Sequence, residues 1–249
     1  MYLSAGDTNI LIDAGCSAKQ LELMMKTNNL DASKINAIIL THEHADHVRG
    51  VRVLASRYGI KVYSSRGTLQ AIDEMALLNG RFPVTVIENC GREIAGNFVV
   101  PFRTSHDSKE SVGYIIDTVD NKRLAIVTDL GYVSDEIREK IDKCNLVVIE
   151  SNHDIGMVQN GDYPYHLKRR ILSKTGHLSN TACAAELPGF AKKGTTKFLL
   201  THLSQENNIP DLAYQTSLCA LKECGMEEGK DFQLYVAPKQ NTDNQQIIF

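Results

Sequence analysis

The stretch from Ala37 to Tyr58 constrains this chain more than any other. Ala37 to Leu40 is an apolar run too short for a helix, and it reads as a buried strand. It feeds Thr41-His42-Glu43-His44-Ala45-Asp46-His47. Val48, Val51, Leu54, Ala55 and Tyr58 then recur at helical spacing, and Gly59 ends the run. A solvated polar loop is the plain reading of such a corner. So many His and Asp side chains directly after a buried strand argue instead for a metal site. Imidazole nitrogen and carboxylate oxygen suit zinc and similar divalent ions. In extended chain, residues two apart point the same way, so His42 and His44 can grip one ion. Asp46 and His47 follow the turn into the helix and can face another. The spacing predicts two ions rather than one.

The remaining ligands must come from elsewhere. A strand is expected over 8–13, ending in the turn Asp13-Ala14-Gly15, with a helix over 17–28. Short strands follow near Val62 and over 84–87, 98–102, 112–117 and 123–128. Residues 134–142 read as a helix, 146–150 as a buried strand and 151–165 as a polar loop. Helices flank Gly176-His177, and a strand over 197–200, a helix over 210–223 and a strand near 232–236 complete the pattern. There is no internal repeat, low-complexity tract or linker. This interleaving predicts an α/β fold in a single domain over 1–249. The suggestive side chains sit where apolar strands stop: His106, Asp129, Glu150 and His202. A rigid strand end is a good place to fix a reactive group. His106, Asp129 and His202 are the candidates for the missing ligands.

Composition excludes several alternatives. A net charge of -3 lacks the basic field of a dedicated nucleic-acid binder, so any hold on phosphates must be local or come from metals. No window approaches the run of about 18 apolar residues that a membrane span needs. The start shows no basic, then apolar, signal pattern. The six cysteines have no CxxC pair and read as reduced thiols, which points to the cytoplasm. Cys16 and Cys183 are expected to be small buried residues rather than ligands.

The ordered set Asp13, His42-x-His44-x-Asp46-His47, His106, Asp129 and His202 resembles the metallo-β-lactamase-fold hydrolases, over nearly the whole chain. That resemblance implies a four-layer αββα sandwich, with two mixed sheets and helices on the outer faces. It also implies two divalent ions, zinc or manganese foremost. His42, His44 and His106 would hold one ion, and Asp46, His47 and His202 the other, with Asp129 bridging. The pattern ends in His47, where true β-lactamases carry a different residue, so antibiotic cleavage is not expected. A closer resemblance is to the YycJ/WalJ-type branch. It is carried by Glu150-Ser151-Asn152-His153-Asp154, Tyr163-Pro164-Tyr165, Leu167-Lys168-Arg169-Arg170, Gly176-His177-Leu178-Ser179-Asn180 and the segment Thr201 to Asn208. The branch implies 5′ to 3′ exonuclease activity on DNA, with DNA favoured over RNA and no membrane partner. Its members usually begin with a Gly/Ser-rich strand and turn before the equivalent of Asp13. This chain departs from that, so a truncated start or a lost first strand is expected.

Paired cations suit phosphodiester hydrolysis, with a hydroxide shared between them as nucleophile and Asp46 orienting it or taking its proton. His177 precedes a helix start, and its string is similar to the Gly-His-Ser-Thr segment of ribonuclease Z, where the histidine contributes to catalysis. It is expected to stabilise developing charge or protonate the leaving oxygen; packing is the alternative. Asp13 is expected to support the histidine loop without binding metal, and Glu150 to hydrogen-bond a site histidine. Ser179 and Asn180 are placed either as helix caps or against substrate. Lys168 and Arg169 form the best local basic patch, and Tyr165 beside them could stack on a base. His153 and His166 read as surface histidines. Two other functions fit the same metal site: hydrolysis of small esters, thioesters or cyclic nucleotides, and a non-catalytic module that keeps metal for stability.

Overall fold

The computed structural model describes residues 1–79 and 82–249, and it divides into two compact units. One comprises Met1–Pro101, Ser108–Asn121 and Gln240–Ile248; the other comprises Phe102–Asp107, Lys122–Lys239 and Phe249.

The first unit opens with β1 (Tyr2–Ala5) and β2 (Thr8–Ile12), an antiparallel pair with Tyr2 opposite Leu11. Two strands therefore precede Asp13. Next comes α1 (Ala18–Thr27), started by a capping box in which Ser17 and Gln20 satisfy each other's backbone amides. Then follow β3 (Ala37–Ile39), α2 (Ala45–Val48), α3 (Val51–Tyr58) and β4 (Lys61–Ser64). The series continues with α4 (Arg66–Glu74), β5 (Val84–Val86), β6 (Arg92–Ile94), β7 (Asn97–Arg103) and β8 (Val112–Asp117). The first sheet has the order β1-β2-β3-β4-β5, parallel from β2 onwards. Ile38, Leu40, Val51, Leu54, Val62 and Ile72 are fully buried in its core.

The helix expected over 48–58 is broken at Gly50. A side chain there would put its Cβ 2.3 Å from the Cys16 carbonyl oxygen, and the Gly50 amide donates to Ala14 O at 2.7 Å. This contact ties the end of α2 to the segment after β2, where the Ala14 amide donates to His47 O at 2.8 Å.

The second unit holds β9 (Arg123–Val127), α5 (Asp135–Lys140), β10 (Leu146–Glu150), α6 (Ile155–Asn160) and α7 (Tyr165–Ile171). It ends with α8 (Asn180–Lys192), β11 (Lys197–Thr201), α9 (Pro210–Glu223) and β12 (Gln233–Val236). Strands β9 to β12 are parallel, with β10 between β9 and β11 and every residue of β10 buried. Within the second unit the order is β12-β11-β10-β9, and in the first unit β6 and β7 pair antiparallel, with Glu93 opposite Phe98. The α/β class with two mixed sheets expected from the sequence holds.

The polar loop expected over 151–165 contains α6. Asp154 accepts from the Met157 amide at its start, and Val158 anchors it in the core. Among the described residues, no helix is long and apolar enough to cross a membrane.

Candidate metal centre

In the first unit the histidine corner is organised by Asp13. Directly after β2 it adopts a left-handed backbone with φ 57°, a conformation that Asp tolerates better than most residues. Its Oδ1 accepts from the Thr41 amide at 2.8 Å. Its Oδ2 accepts from Thr41 Oγ1 at 2.9 Å and from His47 Nδ1 at 2.8 Å. With Nδ1 of His47 as donor, Nε2 carries the lone pair in the neutral ring, as a metal ligand requires. His42 is fully buried, and its ring lies 4.5 Å from that of His44 and 4.1 Å from that of His47. The Asp46 carboxylate is exposed and 3.7 Å from His47 Nε2. Gly15 is required at this corner, because a Cβ there would sit 1.6 Å from the Asp46 carbonyl oxygen. Glu43, whose role no sequence pattern signals, accepts from the Lys109 amide through Oε1 at 2.6 Å and so fastens the corner's other side.

Burial opposes ionisation of Asp13, but the charge and hydrogen bond of His47 and the Thr41 amide outweigh it and hold the carboxyl below its ordinary value. The lowered folded value means that Asp13 stabilises the fold above its unfolded pKa of about 3.9, and that this is lost as pH falls through the folded value. Replacing Asp13 by alanine strands the Thr41 and His47 donors, each costing about 1–3 kcal/mol. In urea unfolding of metal-free protein, the gap between wild type and Asp13→Ala should be full at pH 7 and shrink below about pH 4.

The second unit gathers His106, Asp129, Glu150, His177 and His202. Asp129 and His202, past the ends of β9 and β11, also have left-handed backbones, with φ 57° and 58°. Such conformations cost about 1–3 kcal/mol each and persist where surrounding contacts enforce them. Asp129 is buried, with Oδ1 3.7 Å from His106 Nε2 and 3.7 Å from His202 Nδ1. His106 Nδ1 donates to the Gly176 carbonyl at 3.0 Å, which makes Nε2 the lone-pair nitrogen of the neutral ring. Burial lowers the His106 pKa and keeps that ring neutral.

Glu150 is fully buried at the end of β10 and takes four donors. Oε1 accepts from His177 Nδ1 at 2.8 Å and His202 Nδ1 at 2.7 Å; Oε2 accepts from the Leu130 and Leu178 amides at 3.1 and 3.2 Å. Burial opposes its charge, yet the His177 and His202 hydrogen bonds overcome this and hold the carboxyl far below the usual carboxylate range. His177 moves the other way from His106. Burial disfavours its cation, but the Glu150 hydrogen bond and charge outweigh burial and raise its pKa. Donor atoms of Asp129, Glu150, His177 and His202 lie within 4.8 Å of one another, a grouping compatible with a cation. The short Nδ1 to Oε1 contacts assign Glu150 to orienting the rings.

A family model described as a beta-lactamase superfamily domain matches residues 8–203. An exodeoxyribonuclease YycJ of Bacillus anthracis is 34% identical over 252 residues, covering 99% of this chain and 94% of the relative. An exodeoxyribonuclease WalJ of Streptococcus pneumoniae is 35% identical over 238 residues, covering 94% and 88%. This chain belongs to the metallo-β-lactamase-fold superfamily, in its YycJ/WalJ-type branch. Among solved structures, the metallo-beta-lactamase fold protein YhfI from Bacillus subtilis matches with TM-score 0.72 at 16% identity, covering 96% of this chain and 88% of that one. At that identity the match shows the fold.

Of the remaining residues of this YycJ/WalJ-type chain, Asn180 and His153 are placed differently from the sequence reading. Asn180, expected as a helix cap or against substrate, is turned inward and 1% exposed; its amide bonds Ser151 and Asn208. Ser179 caps α8, its Oγ accepting from the Ala182 amide at 3.2 Å. His153 is no surface histidine: it is 1% exposed, and burial pushes its pKa down to about 4. His166 is exposed. Tyr165 is 75% exposed, with the Arg169 guanidinium 5.9 Å from its ring centre. Together with Lys168, Gln159 and Leu172 they line a depression of about 550 Å³.

Proposed function

We propose that this chain is a metal-dependent nuclease that shortens DNA in the 5′ to 3′ direction, working in the cytoplasm as one functional domain over residues 1–249. The observation that carries the reading is the near-full-length similarity to two relatives named exodeoxyribonuclease. The orientation of the imidazoles supports it, since Asp13, Gly176 O and Glu150 hold Nδ1 of His47, His106 and His202. We assign His42, His44 and His106 to one divalent ion and Asp46, His47 and His202 to another, with Asp129 shared. Zinc or manganese suits this nitrogen and oxygen set.

When bound, the ions supply an activated water and offset phosphate charge. The chain's own groups do the rest. Asp46, whose carboxylate is exposed, orients the attacking water and accepts its proton. His177, favoured as the cation by Glu150, gives a proton to the leaving oxygen. His106, kept neutral, and His177, pushed towards its charged form, thus divide ligand and acid roles between two histidines whose rings are 5.1 Å apart. Tyr165 stacks a base of an unpaired strand, and Lys168 and Arg169 take its phosphates.

The test is metal-loaded protein on 5′-labelled single- and double-stranded DNA, beside RNA and a thioester panel. Stepwise products from the 5′ end of DNA, lost on chelation and restored by zinc or manganese, are expected. Turnover of thioesters without cleavage of nucleic acid would replace this reading with small-molecule hydrolysis.

A further inference from the structure

The residues that mark this chain most specifically include several amides with no part in the chemistry above. Asn152, Asn180 and Asn208 are 8%, 1% and 7% exposed. Asn208 and Asn180 form a reciprocal amide pair: Asn208 Nδ2 donates to Asn180 Oδ1 at 2.9 Å, and Asn180 Nδ2 donates to Asn208 Oδ1 at 2.8 Å. Asn208 Nδ2 also reaches the carbonyls of Ser151 and Asn152 at 2.8 and 3.0 Å, and its Oδ1 accepts from the Ile209 amide. Asn180 Oδ1 takes a further bond from Ser151 Oγ at 2.7 Å. Asn152 then passes the connection outward. Its amide donates to Leu178 O at 2.8 Å, and its Nδ2 donates to His202 O at 2.8 Å.

Loops that leave a sheet carry backbone groups with no ladder partner, and buried ones must be paired. An asparagine side chain presents a donor and an acceptor in the geometry of a peptide, so it can stand in for a missing strand. Here three loops are joined in this way: the one after β10, the one before α8 and the one after β11. The first follows directly on Glu150, and the other two carry His177 and His202. The peptide that Asn152 holds is that of His202, whose left-handed backbone needs enforcement.

We propose that Asn208, acting through Asn180 and Asn152, is a positioning residue that fixes His177 and His202 on the single oxygen of Glu150. The proposal rests on the nuclease reading only for its kinetic readout. A network that served stability alone would not need to end on the peptide beside His177 and on the carbonyl of His202. Displacement of reacting groups by about 1 Å can cost a hundredfold in rate, so a loosened clamp is read in kcat.

The experiment compares the full-length wild type with Asn208→Asp and Asn152→Ala. Asn208→Asp keeps the shape and the acceptor but removes the NH₂ group that faces three acceptors, Asn180 Oδ1 and the Ser151 and Asn152 carbonyls. Asn152→Ala frees the His202 carbonyl with no buried charge, and it carries the test if the aspartate variant does not fold. On DNA with metal-loaded protein, kcat should fall about 10–100-fold, as for outer partners of metal ligands, with KM within about twofold. In metal-free protein, the hydrogen-bonded Nδ1 protons of His177 and His202 should give downfield NMR signals in wild type that shift or broaden in both variants. Wild-type kcat and unchanged histidine signals, with only a lower Tm, would overturn the proposal. A wild type inactive on DNA would sink the nuclease reading, while the histidine signals would still decide the clamp.

Discussion

Replacing His44 by alanine is expected to reduce kcat/KM on DNA by more than about a hundredfold, beyond the 10–100-fold that outer partners of metal ligands command. His44 is half-buried at the start of α2, where its side chain makes no cap hydrogen bond. His44 lies outside the buried core, so its loss is expected to cost the fold about 0.5 kcal/mol, as for other substitutions there. What it removes is one of two imidazoles that the chain presents 4.5 Å apart. Metal analysis of the purified variant should show about one divalent ion fewer per chain than wild type, with an unchanged far-UV spectrum. A variant that keeps its full metal content and its activity would remove His44 from the ligand set. Asp13→Ala makes the contrast: there, stability is expected to fall first, because Asp13 holds the Thr41 amide and the His47 ring.

Much of the fold and the site is legible in the residues alone, for identifiable reasons. The histidine corner announces itself because ligand types are dense over a few residues and the strand before them is short and apolar. Leu146–Glu150 and Pro210–Glu223 fall where the sequence pattern puts them. Continuous apolar sequence marks the first, because both faces of a parallel strand are buried, and Pro210 sets the first helical turn of the second. The break at Gly50 is hidden, since the apolar spacing of Val48 to Tyr58 continues across it and only the approach of the Cys16 carbonyl reveals it. Helix α6 is hidden for the opposite reason. Its sequence has little periodicity, and it forms on the Asp154 cap and Val158. Asn180 misleads because a polar residue beside a reactive histidine reads as a contact to substrate. Its partner Asn208 lies in a third loop, far along the chain, and sequence spacing cannot pair them.

The second large effect concerns His177 and Glu150 as a unit. His177→Ala should lower kcat about 10²–10⁴-fold, the usual contribution of a positioned acid, with metal content unchanged. Glu150→Gln keeps the volume but sets an NH₂ group against donors that face a carboxylate now: His177 and His202 on one oxygen, the Leu130 and Leu178 amides on the other. It should cost about 10–100-fold. The two should not be additive. With His177 gone, Glu150→Gln loses the part of its effect that acts through that ring but keeps the part that acts through His202. A double variant equal to His177→Ala alone would confine Glu150 to His177. A fully additive one would separate the two residues altogether. The pH profile supplies the sign. The raised pKa of His177 means that its protonated form is present below that value and is lost as pH rises through it. The Glu150 hydrogen bond and charge cause that rise, so removing them lowers the value. In Glu150→Gln the alkaline limb of kcat should therefore move to lower pH, and a limb that stays in place would mean that the proton reaching the leaving oxygen comes from a group other than His177.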